Sequence, residues 1–165
     1  MAVIDLNNIK ERIRTIFNNA NTTTASVDLS ASMTNRVNRV LKLNPLRLPI
    51  QASLYPLVTV FIDQKTMESA TIARSQTDGK RRCNVSIKVV GAVWNANVTD
   101  INEDPADEDL ENLMENAEQI LRNNPDINST VTWAVPESCT YHEAQMDEDA
   151  HLRAAILTVN GTVFY

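Results

Sequence analysis

The sequence predicts an α+β fold: a mostly antiparallel β-sheet with two helices packed on one face, plus a long extended arm. Three observations lead there. Two amphipathic segments, near residues 6–17 and 105–121, carry apolar residues at helical spacing. Runs rich in β-branched and aromatic residues fill much of 57–94 and 129–164. The order is therefore helix, long excursion, three strands, helix, two strands. A chain of 165 residues suits one domain with a real core, so a single domain over 1–165 is expected.

The opening helix is read from Leu6, Ile9, Ile13, Ile16 and Phe17, with Lys10, Glu11, Arg12 and Arg14 between them. Asp5 is the expected N-cap, and Asn18-Asn19 ends the pattern. Residues 20–54 lack strong periodicity. Asn21-Thr22-Thr23-Thr24 is loop-like, Leu43 to Pro49 is extended with two prolines, and Val37, Val40 and Leu41 fit a short helical face or part of a strand. A stretch of 35 such residues is long for a compact domain and is often functional. It is read as an arm, holding Arg36, Arg39, Lys42 and Arg47 against Asp28 as its one acid.

Leu57–Ile62 reads as a buried strand. Thr66–Gln76 and Arg81–Trp94 read as a hairpin turning at Thr77-Asp78-Gly79-Lys80, because Asp-Gly favours a tight primed turn. A second helix starts at Asp104-Pro105, buries Leu110, Leu113, Met114, Ala117, Ile120 and Leu121, and stops at Asn123-Asn124-Pro125. Two closing strands, about Ser129–His142 and Leu152–Phe164, flank an acidic turn from Glu143 to Ala150.

Charge is divided unevenly along this chain. Residues 1–99 carry 13 Lys/Arg and 6 Asp/Glu, a net of +7; residues 100–165 carry 2 and 15, a net of −13. Such asymmetry suits a nucleic-acid tail, two domains, or surfaces that meet oppositely charged partners. The apolar share of 43% and charged share of 22% are those of a globular protein rather than a disordered one. Cys83 and Cys139 stand 56 positions apart, which suits free thiols in a reducing cytoplasm. No basic leader precedes an apolar run, and the stretch Tyr55–Ile62 is too short to span a bilayer, so no membrane association is expected.

No reaction centre is legible. The acids Asp104, Asp107, Glu108, Asp109 and Glu111 sit where carboxylates complement a helix dipole, and they lack the order of a calcium loop. Cys83, Cys139, His142 and His151 contain the ligand types for zinc without a zinc-site spacing. Ser138 lies near His142 but outside any nucleophile motif, and no phosphate-binding glycine loop occurs. Lys80-Arg81-Arg82 is a charged strand end or a phosphate contact, yet no basic helix or aromatic platform accompanies it. The expectation is no enzyme, no cofactor and no bound metal.

The layout resembles the tail terminator, or tail-completion, proteins of long-tailed bacteriophages. The likeness runs through LNNIKERIRTIF, PLVTVFID, TDGKRRCNVSIKVVGAVW, DLENLMENAEQILRNNPDINSTVTWAVPES and AAILTVNGTVFY, nearly the whole chain; residues 20–54 match least. The resemblance implies a structural virion protein, made in the host cytoplasm. Such proteins form a ring, commonly a hexamer, that caps the tail tube, ends its polymerisation and meets the head connector, while DNA passes through without sequence-specific binding. Arg36, Arg39, Lys42, Arg47, Lys80, Arg81 and Arg82 are then the basic interface. Asp104, Asp107, Glu108, Asp109, Glu111, Glu143, Asp147, Glu148 and Asp149 are the acidic interface or lumen. A ring needs head-to-tail contacts between different patches, which a split charge suits. A head-side connector or neck protein is the nearest alternative. Further off are a cytosolic metal-dependent hydrolase using Cys139, His142 and the acidic helix, and a regulatory module binding through the arm.

Overall fold

A computed structural model of the chain describes residues 4–44, 51–69, 81–96, 105–147 and 150–164. Two helices, α1 (Leu6–Ala20) and α2 (Pro105–Arg122), accompany five strands: β1 (Arg39–Leu41), β2 (Leu57–Ser69), β3 (Arg81–Ala96), β4 (Trp133–Asp147) and β5 (Ala150–Phe164). The strands form one sheet in the order β1-β2-β3-β5-β4, antiparallel except for the parallel β1–β2 pair. The α+β architecture is as the sequence predicts.

Helix α1 starts where expected: the Asp5 carboxylate accepts from the amides of Asn7 and Asn8 at 2.9 and 3.0 Å. Its stripe Ile9, Ile13, Ile16 and Phe17 is buried over β1 and β2. Helix α2 buries the six predicted apolar residues and lies over β3, β4 and β5. Both stripes pack on one face of the sheet, which offers Val58, Val60, Val85, Ile87, Val89, Leu157 and Val159. Burying each large side chain of this set contributes about 1.5–3 kcal/mol. Gly91 lets α2 come close, since a Cβ there would stand 2.5 Å from Met114 Sδ and 3.1 Å from Leu113 Cδ2.

Over residues 20–44, the region read as an arm is folded against its own chain. Leu29 is 0% exposed, and Val37 and Val40 join the main core. Arg39–Leu41 pairs with Leu57–Thr59, so Val40 and Leu41 belong to a strand. The irregular backbone between is satisfied by side chains of α2. Asn116 Nδ2 donates to the carbonyls of Ala31 and Leu29 at 2.9 and 3.3 Å, and Asn112 Nδ2 to that of Ser32 at 3.1 Å. A segment held by side-chain amides in this way needs no repeating apolar pattern. That is why its folding left no period to read.

Three strand readings are corrected. Leu57–Ile62 and the start of Thr66–Gln76 are one strand, β2, with a bulge between Ile62 and Gln64. The bulge shifts the alternation by one residue, and the polar triplet Asp63-Gln64-Lys65 then imitates a break. The Asp78-Gly79 turn lies outside the described residues. Glu143–Asp147 is the end of β4 rather than a turn, opposite Arg153 to Ala150 on β5. Conversely, Ser129 is not strand. Ile127, Asn128 and Ser129 have φ of 46°, 53° and 64°, a left-handed turn that Ile127 anchors by full burial.

The sheet face away from the helices has two zones. Near the start of β2, Leu57 and Ala92 are buried with Tyr55, and Trp94, Leu152 and Ala154 pack around them. Towards the other end the face turns polar.

Candidate interaction surfaces

Strand directions define two ends of the molecule. β2 ends and β3 begins at one; β4 ends and β5 begins at the other, together with the start of α2. The carboxylate end is built on the start of α2, where Asp107 and Glu108 occupy the first turn and complement the helix dipole. Asp107 also meets Arg153 Nε of β5 at 3.2 Å. Glu143 and Asp147 occupy register positions at this same end, opposite Arg153 and Ala150.

The opposite end carries Lys65 on β2 with Arg81 and Arg82 on β3. Lys65 is exposed and the two arginines are half buried. Arg82 stands between Glu68 and Phe164 on the flanking strands, and its Nε donates to Asn84 Oδ1 at 2.9 Å. Trp133, 47% exposed, shares that face with Arg82, Asn84, Gln64 and Thr162 around a polar groove of about 290 Å³. Away from this end, the exposed side of α2 carries Glu111 and Glu115 near Tyr141.

Several expected interface residues are engaged within the chain. Arg36 makes a fork-like pair with Asp28, Nη1 to Oδ2 at 2.9 Å and Nη2 to Oδ1 at 2.8 Å. The Arg36 guanidinium holds the Asp28 carboxyl below its usual range. Lys42 and Arg14 both pair with Glu11, whose carboxyl is lowered by them. Asp109 is 5% exposed and accepts from the Thr34 amide at 2.7 Å, so its carboxylate is turned towards its own chain rather than to solvent. Arg39 is exposed at the start of β1. Arg47, Lys80, Asp104, Glu148 and Asp149 lie outside the described residues.

The thiols and imidazoles are dispersed. Cys83 faces Val163 and Cys139 faces Leu157, six positions apart along β5, or roughly 20 Å at strand rise. Both are free thiols, and burial pushes both upward in pKa. His142 stands opposite Ala154 and His151 opposite Gln145, so the two do not meet across the hairpin. Ser138 and His142 share the outer face but lie four residues apart on one strand, about 13 Å, beyond hydrogen-bond reach. Among the described residues no three His, Cys, Asp or Glu side chains converge on a point where they could hold a metal.

What sequence reading missed is the set of asparagines clamping 29–34, and the aromatic residues on β4. Trp133 and Tyr141 read as ordinary strand residues. Their exposure follows from β4 being an edge strand, a fact of topology.

No protein-family model matches the chain, and no curated protein matches it. No helix among the described residues is long and apolar enough to cross a membrane.

Proposed function

We propose that this chain is a ring-forming structural protein of a long-tailed phage virion. It sits at the head-proximal end of the tail tube, ends tube polymerisation and joins the tail to the head connector. The observation that carries this reading is an unequal sorting of charge along the strand axis: Lys65, Arg81 and Arg82 outnumber Glu68 at one end, and the Asp107, Glu108, Glu143 and Asp147 positions outnumber Arg153 at the other. A surface with different patches at its two ends supports heterologous contacts, which close into a ring when the rotation between copies closes. Carboxylates left facing a central passage repel DNA phosphates and keep the passage from binding them. The ring, a hexamer on this reading, contacts tube protein on one side and connector on the other.

The sorting refines the split seen in sequence. Arg36 and Lys42 are paired internally, as Asp107 is with Arg153, but Asp107 stands beside Glu108 at an end of the sheet, whereas Arg36 and Lys42 lie in the folded 20–44 segment. The interface role passes to the β2–β3 end.

Electron microscopy of the purified chain at low salt tests the proposal. Closed rings with a central hole are expected. A monodisperse monomer at high concentration and low salt, together with no binding to purified tail tubes, contradicts it. Binding to tailless heads rather than headless tails assigns the protein to the head side of the neck.

A further inference from the structure

Strand β4 is the outermost strand, and among the described residues nothing pairs with its far side beyond Pro136. The first part of that edge is closed. Ala134 donates its amide to the Pro125 carbonyl at 2.6 Å, Pro136 has no N–H, and a bulge separates Pro136 from Ser138. From Ser138 to Gln145 pairing with β5 is regular, leaving alternate peptide groups turned outward. Sheet proteins usually blunt such an edge with lysine or proline. Ser138-Cys139-Thr140-Tyr141-His142-Glu143-Ala144-Gln145 contains neither.

On its helix side the edge is flanked by acids, while on the outer face Lys88 reaches Thr158, the register partner of Ser138. Helix α2 lies against β4 and exposes Glu111 and Glu115. Tyr141, 50% exposed, shares the helix side of the sheet with its register partner Ala155 and lies within electrostatic range of both glutamates. Strand β4 carries Glu137, Glu143 and Asp147 and no cation.

We propose that the Ser138–His142 edge binds an extended cationic segment of another polypeptide, which adds to the sheet as a further strand. Backbone hydrogen bonds supply a sequence-tolerant part of the affinity, and alternate side chains supply selectivity. Lysine or arginine at every second position falls on the helix side, beside Glu111 and Glu115. Their aliphatic stems and charges meet the Tyr141 ring.

A second copy of this chain fits the edge poorly. Pairing β4 with β4 brings Glu111 and Glu115 against their own images, and like charges across an interface are unfavourable. The open stretch of β2 beyond Thr59 is interrupted by the bulge at Ile62/Gln64 and carries Asp63 and Glu68 against Lys65.

The test is titration of the full chain with a nonapeptide of alternating lysine and valine, followed by amide NMR. Shifts confined to Ser138–His142 and to α2 around Glu111 and Glu115 are expected. Affinity should fall roughly tenfold or more for a glutamate–valine peptide and for the E111K/E115K variant. A lysine–valine peptide methylated at every backbone nitrogen keeps the charge but donates no hydrogen bonds, and should also bind at least about tenfold more weakly. Equal binding of the methylated or the glutamate peptide overturns the proposal, as do shifts centred on β2. Concentration-dependent protection of the Ser138–His142 amides without peptide overturns it too, since a second copy would then occupy the edge. Both peptide comparisons use the unaltered chain, so they decide the matter even if E111K/E115K fails to fold.

Discussion

Asp109 accepts a 2.7 Å hydrogen bond from the amide of Thr34, a residue 75 positions earlier in the chain. A carboxylate in the first third of α2 thus fixes a segment that has no regular structure of its own. Asn112 and Asn116 extend the clamp by one and two turns along the same helix.

Removing the acceptor leaves the part-buried Thr34 amide without its partner. Asp109→Ala should lower unfolding free energy by about 1–3 kcal/mol in denaturant titrations, because a hydrogen bond to a carboxylate is lost. Asp109→Asn keeps an acceptor oxygen and should cost less. Hydrogen exchange should quicken at Thr34 in both, and more in the alanine variant.

Acid should loosen the same region. The carboxyl of Asp28 is lowered chiefly by its hydrogen bonds to Arg36, and that of Glu11 chiefly by its bond to Lys42. A depressed folded pKa means stability that is complete above the ordinary carboxylate range and is lost as pH falls through the depressed values. Thermal midpoints should therefore hold level down to about pH 5 and decline below about pH 4. Asp28→Asn should be less stable near neutrality and show a shallower acid decline. Identical pH slopes in the two proteins would remove this pairing from the account.

Gly91 should resist enlargement. A Cβ at this position meets Met114 Sδ at 2.5 Å, and although that side chain can shift, Leu113 Cδ2 also stands 3.1 Å away. Gly91→Ala should cost about 1–3 kcal/mol by overpacking. Combining it with Met114→Ala should recover part of the loss contributed by the clash, as a double-mutant cycle would show.

Tyr141 gives a spectroscopic handle on the exposed edge. Burial pushes its phenol up to about 12, with Cys139 and then Glu111 and Glu115 adding to the shift. A raised folded pKa favours the neutral phenol, so its stabilising contribution is present below pH 10 and is lost as pH rises towards 12. Phenolate absorbance should show two tyrosines titrating late, Tyr141 and Tyr55, the latter also raised by burial. Glu111→Gln with Glu115→Gln should bring Tyr141 earlier by a minor part of the shift, since burial is the larger cause.

Much of this architecture is legible in the residues. Helix α1 announces itself through Asp5 and the Ile9–Ile13–Ile16–Phe17 stripe, and α2 through its proline start and the asparagines before Pro125. Those signals are local and periodic. The bulge at Ile62/Gln64 is a disruption of period, so one strand reads as two. Residues 20–44 fold through contacts with α2 more than 70 positions away, and no local pattern encodes them. The candidate surfaces are harder still. Charge totals reveal an imbalance, but only topology shows that Arg36 and Lys42 are spent on Asp28 and Glu11, and that Asp109 points inward.

The central claim is that oppositely charged ends of neighbouring copies meet, and a charge-swap mixing measurement by native mass spectrometry tests it most directly. One variant carries Lys65→Glu with Arg82→Glu, the other Asp107→Lys with Glu108→Lys. The account predicts that wild type assembles at low salt and dissociates as salt rises, that each variant alone stays monomeric, and that an equimolar mixture regains rings of alternating copies. Assembly of either variant alone at wild-type strength, or a mixture that remains monomeric, would contradict it.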